Sequence, residues 1–485
     1  MSDMTEAFTK HPLDLPATGI ASGIRSGAFR SEDVVAESIR RARAVQARLN
    51  PFTIIREEKA LEAARQADAA VQKGEGTRPL HGVPFAAKDL TPTCGDVTTL
   101  GSWAKADWVP VETALCVRRL QDAGAILMGK TTTPEFAYSS FTNSPRWGIT
   151  RNPWNSERTA GGSSGGSAVA VATGVVPFAE GSDMGGSIRI PAGFCGIVGL
   201  KPSLGRIPMT ILPSVFDNIS HFGPLARTVG DAISFMAATS GPSDEDISSL
   251  PIGFDGEKAR QRGLAGLRFA FSLDLGYYQV QPQVEVVVRQ AITALREAGA
   301  TVDEVPMRWS RAVNDEWFDL WCVFMSAFFG DLLPENSHHM DRSVVSMIER
   351  GLGMNATTYK RVELLRTDMW RDMATLFKRY DAFLCPTNAI TAPPVHETDD
   401  DYVETLPGGL FKGLDMTCPF NMLPQCPALS LPVGISEEGL PVGLQLVGKR
   451  YADEDVLAIA TALEALLSAE KTRTIVTEKW HRIDS

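Results

Sequence analysis

The sequence predicts an α/β protein with a large apolar core, and three observations carry that expectation. Short apolar runs of strand character, among them GVPFAAKDL, AGAILMGK, VVPFAEGSD, ALSLPVG and VGLQLVG, alternate with segments whose apolar residues recur at helical spacing. Hydrophobic residues make up 44% of the 485-residue chain and charged residues 22%, a balance that builds a core and excludes intrinsic disorder. Residues 161–167 form a Gly/Ser run, GGSSGGS, whose flanks AVAVATGVV and IRIPAGFCGIVGL read as buried core. A flexible linker would have polar flanks instead.

The elements follow in order. Ser31 is placed to cap a helix over 31–49, with Glu32 and Asp33 in the first turn, where the helix dipole favours acids. Val35, Ile39 and Ala42 share one face, so this helix lies on the domain. Pro51 ends it, PFTII reads as a short strand, and a second helix covers 57–73 before Gly74. GEGTRPLHG is a surface connection, and GVPFAAKDL is a buried strand that delivers Lys88 to its end, where sites on α/β sheets lie. A loop, TPTCGDVTTLGS, leads to a helix over 112–123 and the strand AGAILMGK.

Residues 131–155 are too rich in Pro, Ser, Thr and Asn for regular structure, and a loop of that length is more often functional than not. A buried helix over 167–174 turns its N-terminal N–H groups toward a site, and VVPFAEGSD is strand then turn. The apolar, proline-containing loop 206–223 is placed to cover a pocket. A helix over 228–239, an exposed turn, and a strand–helix–strand unit (LRFAFSLD, 284–299, TVDEVPM) follow, the last as a smaller lobe or an extension of the same sheet. Residues 314–329, NDEWFDLWCVFMSAFF, form an aromatic stripe that is either core or pocket wall. DAFLCPT, ALSLPVG and VGLQLVG are strands, and a helix over 452–467 closes the chain.

The Gly/Ser run and a second Gly-Gly-Ser at Gly185, Gly186 and Ser187 can bring backbone N–H groups close to an anion. No Gly-Lys-Ser/Thr closes the run and no dinucleotide fingerprint follows a strand, which excludes a nucleotide cradle and leaves an oxyanion site beside a serine nucleophile. A serine needs a base. None of the seven histidines lies in 161–206; His81 and His221 are the nearest. Lys88 is the other candidate: an apolar strand carries it inward, and a lysine taken out of water loses proton affinity. The alternative is a buried stem whose ammonium reaches water or Asp89.

GVPFAAKDL, GGSSGGS, GSDMGGSIRIPAGFCGIVGLKPSLGRIP and ALSLPVGISEEGLPVGLQLVG resemble the amidase signature family, in the same order and at similar spacings, from about residue 82 to 450. The resemblance implies one domain over 1–485 built on a large central mixed β-sheet sandwiched between α-helices. Within it, 1–74 is an N-terminal helical segment, 75–240 the signature core, 241–425 a variable pocket region and 426–485 the C-terminal strands and helix. It also implies a catalytic triad of Ser187 as nucleophile, Ser163 as a bridging serine with a cis peptide, and Lys88 as base; Ser164 is the competing bridge and otherwise braces the loop.

Backbone N–H groups of Met184, Gly185, Gly186 and Ser187 are then the oxyanion donors, and Asp183 and Arg189 brace the loop by pairing, the alternative being two unrelated surface charges. Tyr138, Phe141, Ile190, Trp321 and Phe324 are pocket candidates, with core packing the alternative for Tyr138 and Phe141. Ile190 stands three residues after Ser187, where some relatives carry an arginine for a carboxylate substrate, which disfavours a dicarboxylate half-amide.

The activity implied is cofactor-independent, metal-free hydrolysis of small apolar amides, including aryl amides and carbamates (urethanes), through an acyl-enzyme. Two rivals stand beside it: the glutaminase subunit of a tRNA-dependent amidotransferase, and a non-catalytic binding protein on the same fold. A small-molecule amide or carbamate is the expected partner, with a homodimer left open. The net charge of −11 argues against nucleic acid. The start lacks a basic segment followed by an apolar one, and the apolar run 321–329 is too short to span a bilayer, so a cytoplasmic protein is expected. The seven cysteines are scattered without metal-ligand spacing and are expected to be reduced and mostly buried.

Overall fold

The apolar runs become strands where the sequence places them, and they join into one sheet. The computed structural model describes residues 11–75, 78–260, 262–467 and 480. Residues 1–10 of the chain start and 76–77 of the expected surface connection lie outside the described residues. The strands are β1 (Phe52–Ile55), β2 (Pro84–Lys88), β3 (Ile126–Thr131), a two-stranded hairpin of β4 (Asn143–Ser144) and β5 (Gly148–Ile149), β6 (Phe178–Asp183), β7 (Val198–Lys201), β8 (His221–Ala226), β9 (Arg268–Phe271), β10 (Thr301–Glu304), β11 (Ala382–Pro386), β12 (Ala428–Ile435) and β13 (Pro441–Gly448).

All but the hairpin form an 11-stranded sheet in the order β1-β3-β2-β6-β8-β7-β12-β13-β11-β9-β10. It is mixed: β3, β2 and β6 run parallel, as do β11, β9 and β10, while the strands between them pair antiparallel. The strand–helix–strand unit thus extends the same sheet at one edge.

Helices cover both faces. Those of seven residues or more are α1 (Ala17–Arg25), α2 (Ser31–Leu49), α3 (Glu57–Gln72), α4 (Leu115–Asp122), α5 (Gly165–Ala172), α6 (Arg189–Cys195), α7 (Val229–Thr239), α8 (Pro282–Glu297), α9 (Ala312–Phe329), α10 (Arg342–Leu352), α11 (Ala356–Phe377) and α12 (Asp453–Leu466). Alternation along β2 shows the layering: Phe85 and Ala87 pack into a core with Ile233 of α7, Val288 of α8 and Leu457 of α12, whereas Ala86 packs into a core with Val35 of α2 and Val169 of α5. A third core, around Trp321, Met325, Met369 and Phe420, joins α9 and α11 to the sheet. No helix among the described residues is long and apolar enough to cross a membrane.

Several local expectations change. Ser31 is the first residue of α2 rather than its cap, and its hydroxyl donates to Gly82 O at 3.1 Å. The cap comes from α3 instead: the Asp68 carboxylate accepts the N–H groups of Ser31 at 2.7 Å and Glu32 at 3.1 Å. The helix expected over 112–123 starts at Leu115, because Thr113 and Ala114 bond back to Cys94 and Pro92 of the preceding loop. α6 was hidden by Pro191 and Gly193; Pro191 sits in its first turn, where a missing N–H costs no intrahelical bond. α1, α10 and α11 are further helices that sequence patterning did not place, and 314–329 falls within α9.

Asp68→Ala strands two helix N–H groups, so it lowers the unfolding free energy by about 1–2 kcal/mol in urea denaturation. Ser31→Ala, which leaves those groups capped, costs about 1 kcal/mol or less by the same measurement.

Candidate active site

The site forms where β2 and β6, parallel neighbours joined at Ala86 and Ala179, leave the sheet at the same edge. β2 ends on Lys88 and β6 on Asp183. Lys88 has no exposed surface, and its Nζ lies 2.6 Å from Ser163 Oγ and 3.1 Å from Ser182 Oγ. Burial pulls its proton affinity below that of an ordinary lysine, against the attraction of the Glu180 and Asp183 carboxylates. Glu180, which accepts the Lys88 N–H at 2.9 Å and the Thr91 hydroxyl at 3.0 Å, is raised by the same burial. Both shifts favour the neutral forms. The Lys88 amine does not go to Asp89, whose carboxylate pairs with Lys130 at 3.2 Å and accepts from Thr99.

The Gly/Ser loop supplies the next group. Its Gly162–Ser163 peptide is cis, and Ser164 stands just before α5. The two serines then divide. Ser163 turns its hydroxyl to Lys88, and both it and half-buried Ser187 line a cavity. Ser164 Oγ donates to Ser182 O at 3.4 Å and its N–H to Ser187 O at 3.0 Å, tying the two loops together. Neither nearby histidine competes as base. His221 is buried between the carbonyls of Asp183 and Pro424, with burial and nearby Lys201 holding its pKa down to about 3, and His81 bonds to Ala67 O.

Asp183 and Arg189 are both fully buried and form a two-pronged pair, Nε to Oδ2 and Nη2 to Oδ1, each at 2.9 Å. The remaining guanidinium bonds go to Thr417 O (2.9 Å), Gln445 Oε1 (2.6 Å) and Asn421 Oδ1 (2.5 Å). Asp183 also accepts from Asn421 Nδ2 and from the N–H groups of Gly186 (2.9 Å) and Ile188 (3.3 Å). Although burial alone would raise it, Arg189 and these donors hold its carboxyl far below the usual range.

The Gly186 bond corrects the expected set of oxyanion donors, because that N–H is committed to Asp183. The N–H groups of Met184, Gly185 and Ser187 have no acceptor among the described residues. On the other side of the loop, Trp317 Nε1 donates to Met184 O at 3.0 Å and Thr417 Oγ1 to Gly185 O at 2.6 Å. Gly186 must be glycine: its φ is +135°, and a Cβ there would lie 1.8 Å from Thr417 Oγ1.

Ser163, Ser182 and Ser187 open into a cavity of about 450 Å³. Of the pocket candidates, Tyr138, Ile190, Trp321 and Phe324 line it. Phe141 does not; it is buried behind the wall with its ring 6.3 Å from that of Tyr402. The loop 206–223 contributes Met209, Ile211, Leu212, Pro213 and Ser220, and α9 adds Trp317, Phe328 and Phe329. The charged lining groups are Lys105, Asp183, Asp331 and Asp415. Asp415 accepts from the Thr417 N–H at 3.0 Å and also meets the Thr417 hydroxyl, and burial raises its pKa to about 6. Sequence reasoning missed Ser182, Thr417, Asn421 and Gln445, and placed Trp317 only within the aromatic stripe 314–329. Of the four missed, only Ser182 had a local signal, its place beside Asp183 at the end of a buried strand.

The family model for Amidase matches residues 33–457. An acylamidase of Rhodococcus erythropolis is 35% identical over 456 residues, 93% of this chain and 95% of the relative. A glutamyl-tRNA(Gln) amidotransferase subunit of Moorella thermoacetica is 36% identical over 462 residues, 90% of this chain and 93% of the relative. The solved structure of a bacterial aryl acylamidase of the amidase signature family superposes with a TM-score of 0.89 at 28% identity, covering 96% of this chain and 98% of that one. The chain therefore belongs to the amidase signature family and is an amide-hydrolysing enzyme.

Proposed function

We propose that this protein hydrolyses small, uncharged, apolar amides, with aryl amides and carbamates in the same class, by a Lys88–Ser163–Ser187 relay. The observation that carries the reading is the contact between buried Lys88 Nζ and Ser163 Oγ, 2.6 Å, at the floor of an apolar cavity that Ser187 also lines. Neutral Lys88 takes the proton of Ser163, Ser163 takes that of Ser187, and Ser187 Oγ attacks the carbonyl carbon. Free N–H groups of the loop 184–187 receive the oxyanion, a role worth about 3–4 kcal/mol per donor. On collapse the relay runs backward to protonate the leaving amine, and water then attacks the acyl-enzyme by the same base. Its similarity to the Rhodococcus acylamidase and to the aryl acylamidase fold supports an acyl amide substrate. The free thiols, all buried except Cys94, suit a cytoplasmic protein.

Two observations favour the amidotransferase reading: the 36% identity to the Moorella amidotransferase subunit, and the Asp415 carboxyl in the cavity lining, which suits an α-amino group. Against it, Ile190 presents an apolar side chain beside the nucleophile, and most other lining residues are apolar. Glutamine-dependent ammonia release with a partner protein separates the two, and none is expected.

A short acyl nitroanilide and the corresponding N-nitrophenyl carbamate share one leaving amine, so their kcat/KM ratio reads the acyl side alone. Both are expected to turn over. Ser187→Ala abolishes both activities, and Lys88→Ala lowers kcat/KM by about 10³-fold or more.

The pH profile follows from the direction of the Lys88 shift. Protonated Lys88 cannot accept, so kcat/KM falls on acidification, through an apparent pKa well below the ordinary lysine value of about 10.4.

A further inference from the structure

The nucleophile loop holds two consecutive peptide groups that differ in how they are anchored. In a trans peptide the C=O and N–H point in opposite directions, so fixing one aims the other. The 185–186 peptide is bound at both ends: its carbonyl accepts from Thr417 Oγ1 at 2.6 Å and its N–H donates to Asp183 Oδ1 at 2.9 Å. The 184–185 peptide is bound at one end only. Its carbonyl, Met184 O, accepts from Trp317 Nε1 at 3.0 Å, and the opposite N–H, that of Gly185, has no acceptor among the described residues. Trp317 also packs hard against this peptide, since a Cβ on Gly185 would lie 2.1 Å from its Cζ2. Trp317, Gly185 and Ser187 all line the same cavity.

We infer that Trp317 is a positioning residue for the oxyanion: its indole N–H holds the Met184 carbonyl so that the Gly185 N–H is aimed at the oxygen of the tetrahedral intermediate. The inference rests on Ser187 being the nucleophile. It gives α9 a second role beside walling the pocket, because a helix from the variable region then sets the geometry of the chemical step. A residue that only walls the pocket acts on substrate binding. One that aims an oxyanion donor acts on the transition state.

The test replaces the indole N–H without emptying the site. Trp317→Phe keeps an aromatic ring without the donor, and replacement of Trp317 by 3-benzothienylalanine keeps the bicyclic shape with sulfur in place of N–H. Each is assayed on the acyl nitroanilide for kcat and KM, and for affinity toward a trifluoromethyl ketone bearing the same acyl group. That ketone forms a tetrahedral adduct: Ser187 Oγ bonds to the carbonyl carbon, the C=O π pair becomes the oxyanion, and the serine proton passes through Ser163 to Lys88.

Both replacements are expected to lower kcat by about 10–100-fold with KM changed by less than about threefold, since an oxyanion donor is misaimed rather than deleted. Ketone affinity should fall by the same factor as kcat/KM, while affinity for the carboxylic acid product stays level. If both variants keep kcat and ketone affinity within about twofold of wild type, or change KM alone, the inference is overturned while the hydrolase reading stands. Wild-type protein that neither cleaves the anilide nor binds the ketone overturns the hydrolase reading and this inference with it.

Discussion

Removing Lys88 from water is the constraint around which the site is arranged. An ammonium at that position would have to be held by charge, and two carboxylates, Glu180 and Asp183, are near enough to raise its proton affinity. Glu180 is itself desolvated and shifted toward its neutral acid. Asp183 stays ionised, but its charge is spoken for by the two-pronged pair with Arg189. Burying an ion pair this deeply is favourable only when the remaining donors and acceptors are also satisfied. Arg189 meets that condition, with bonds to Asp183, Asn421, Thr417 and Gln445. The pair therefore does two things: it holds the loop carrying Ser187 and it limits the field that would keep Lys88 charged.

The sheet makes this arrangement reachable. β2 and β6 run side by side in the same direction, so their last residues, Lys88 and Asp183, emerge together with Ser182 and Glu180 close by. α5 packs across these strands and brings the Gly/Ser loop with it, which sets Ser163 against Lys88. A framework of buried strands suits a relay in which proton transfer needs heavy atoms within hydrogen-bond reach. The cavity above it is walled by the loop 206–223 and α9.

What the sequence made legible was what is written locally. An inward-pointing lysine at the end of an apolar run, and a Gly/Ser loop with apolar flanks, marked the edge of the sheet where the candidate site lies. The choice between Ser163 and Ser164 needed coordinates, because adjacent residues in a loop have no periodicity that orients them. Partners remote in sequence left no trace: Asn421, Thr417 and Gln445 reach Arg189 from the C-terminal part of the chain, and Asp68 caps α2 from another helix. The commitment of the Gly186 N–H to Asp183 was hidden for the same reason, since only geometry tells a free donor from an occupied one. Phe141 was a lining candidate on the family resemblance, with core packing the alternative, and it packs beside Tyr402. The aromatic stripe of α9 proved to be both core and wall, with Met325 buried and Trp317 at the cavity.

The proposed relay requires Lys88 to be a neutral amine at the pH where the enzyme works, and its side-chain nitrogen can be observed directly. In ¹⁵N-lysine-labelled protein, Lys88→Met identifies the Nζ resonance by its loss, which separates it from the other buried lysines, Lys130 and Lys201. The expected result is the chemical shift of a neutral amine near pH 8 and a titration well below the ordinary value of about 10.4. An ammonium signal that persists through about pH 10 would contradict it.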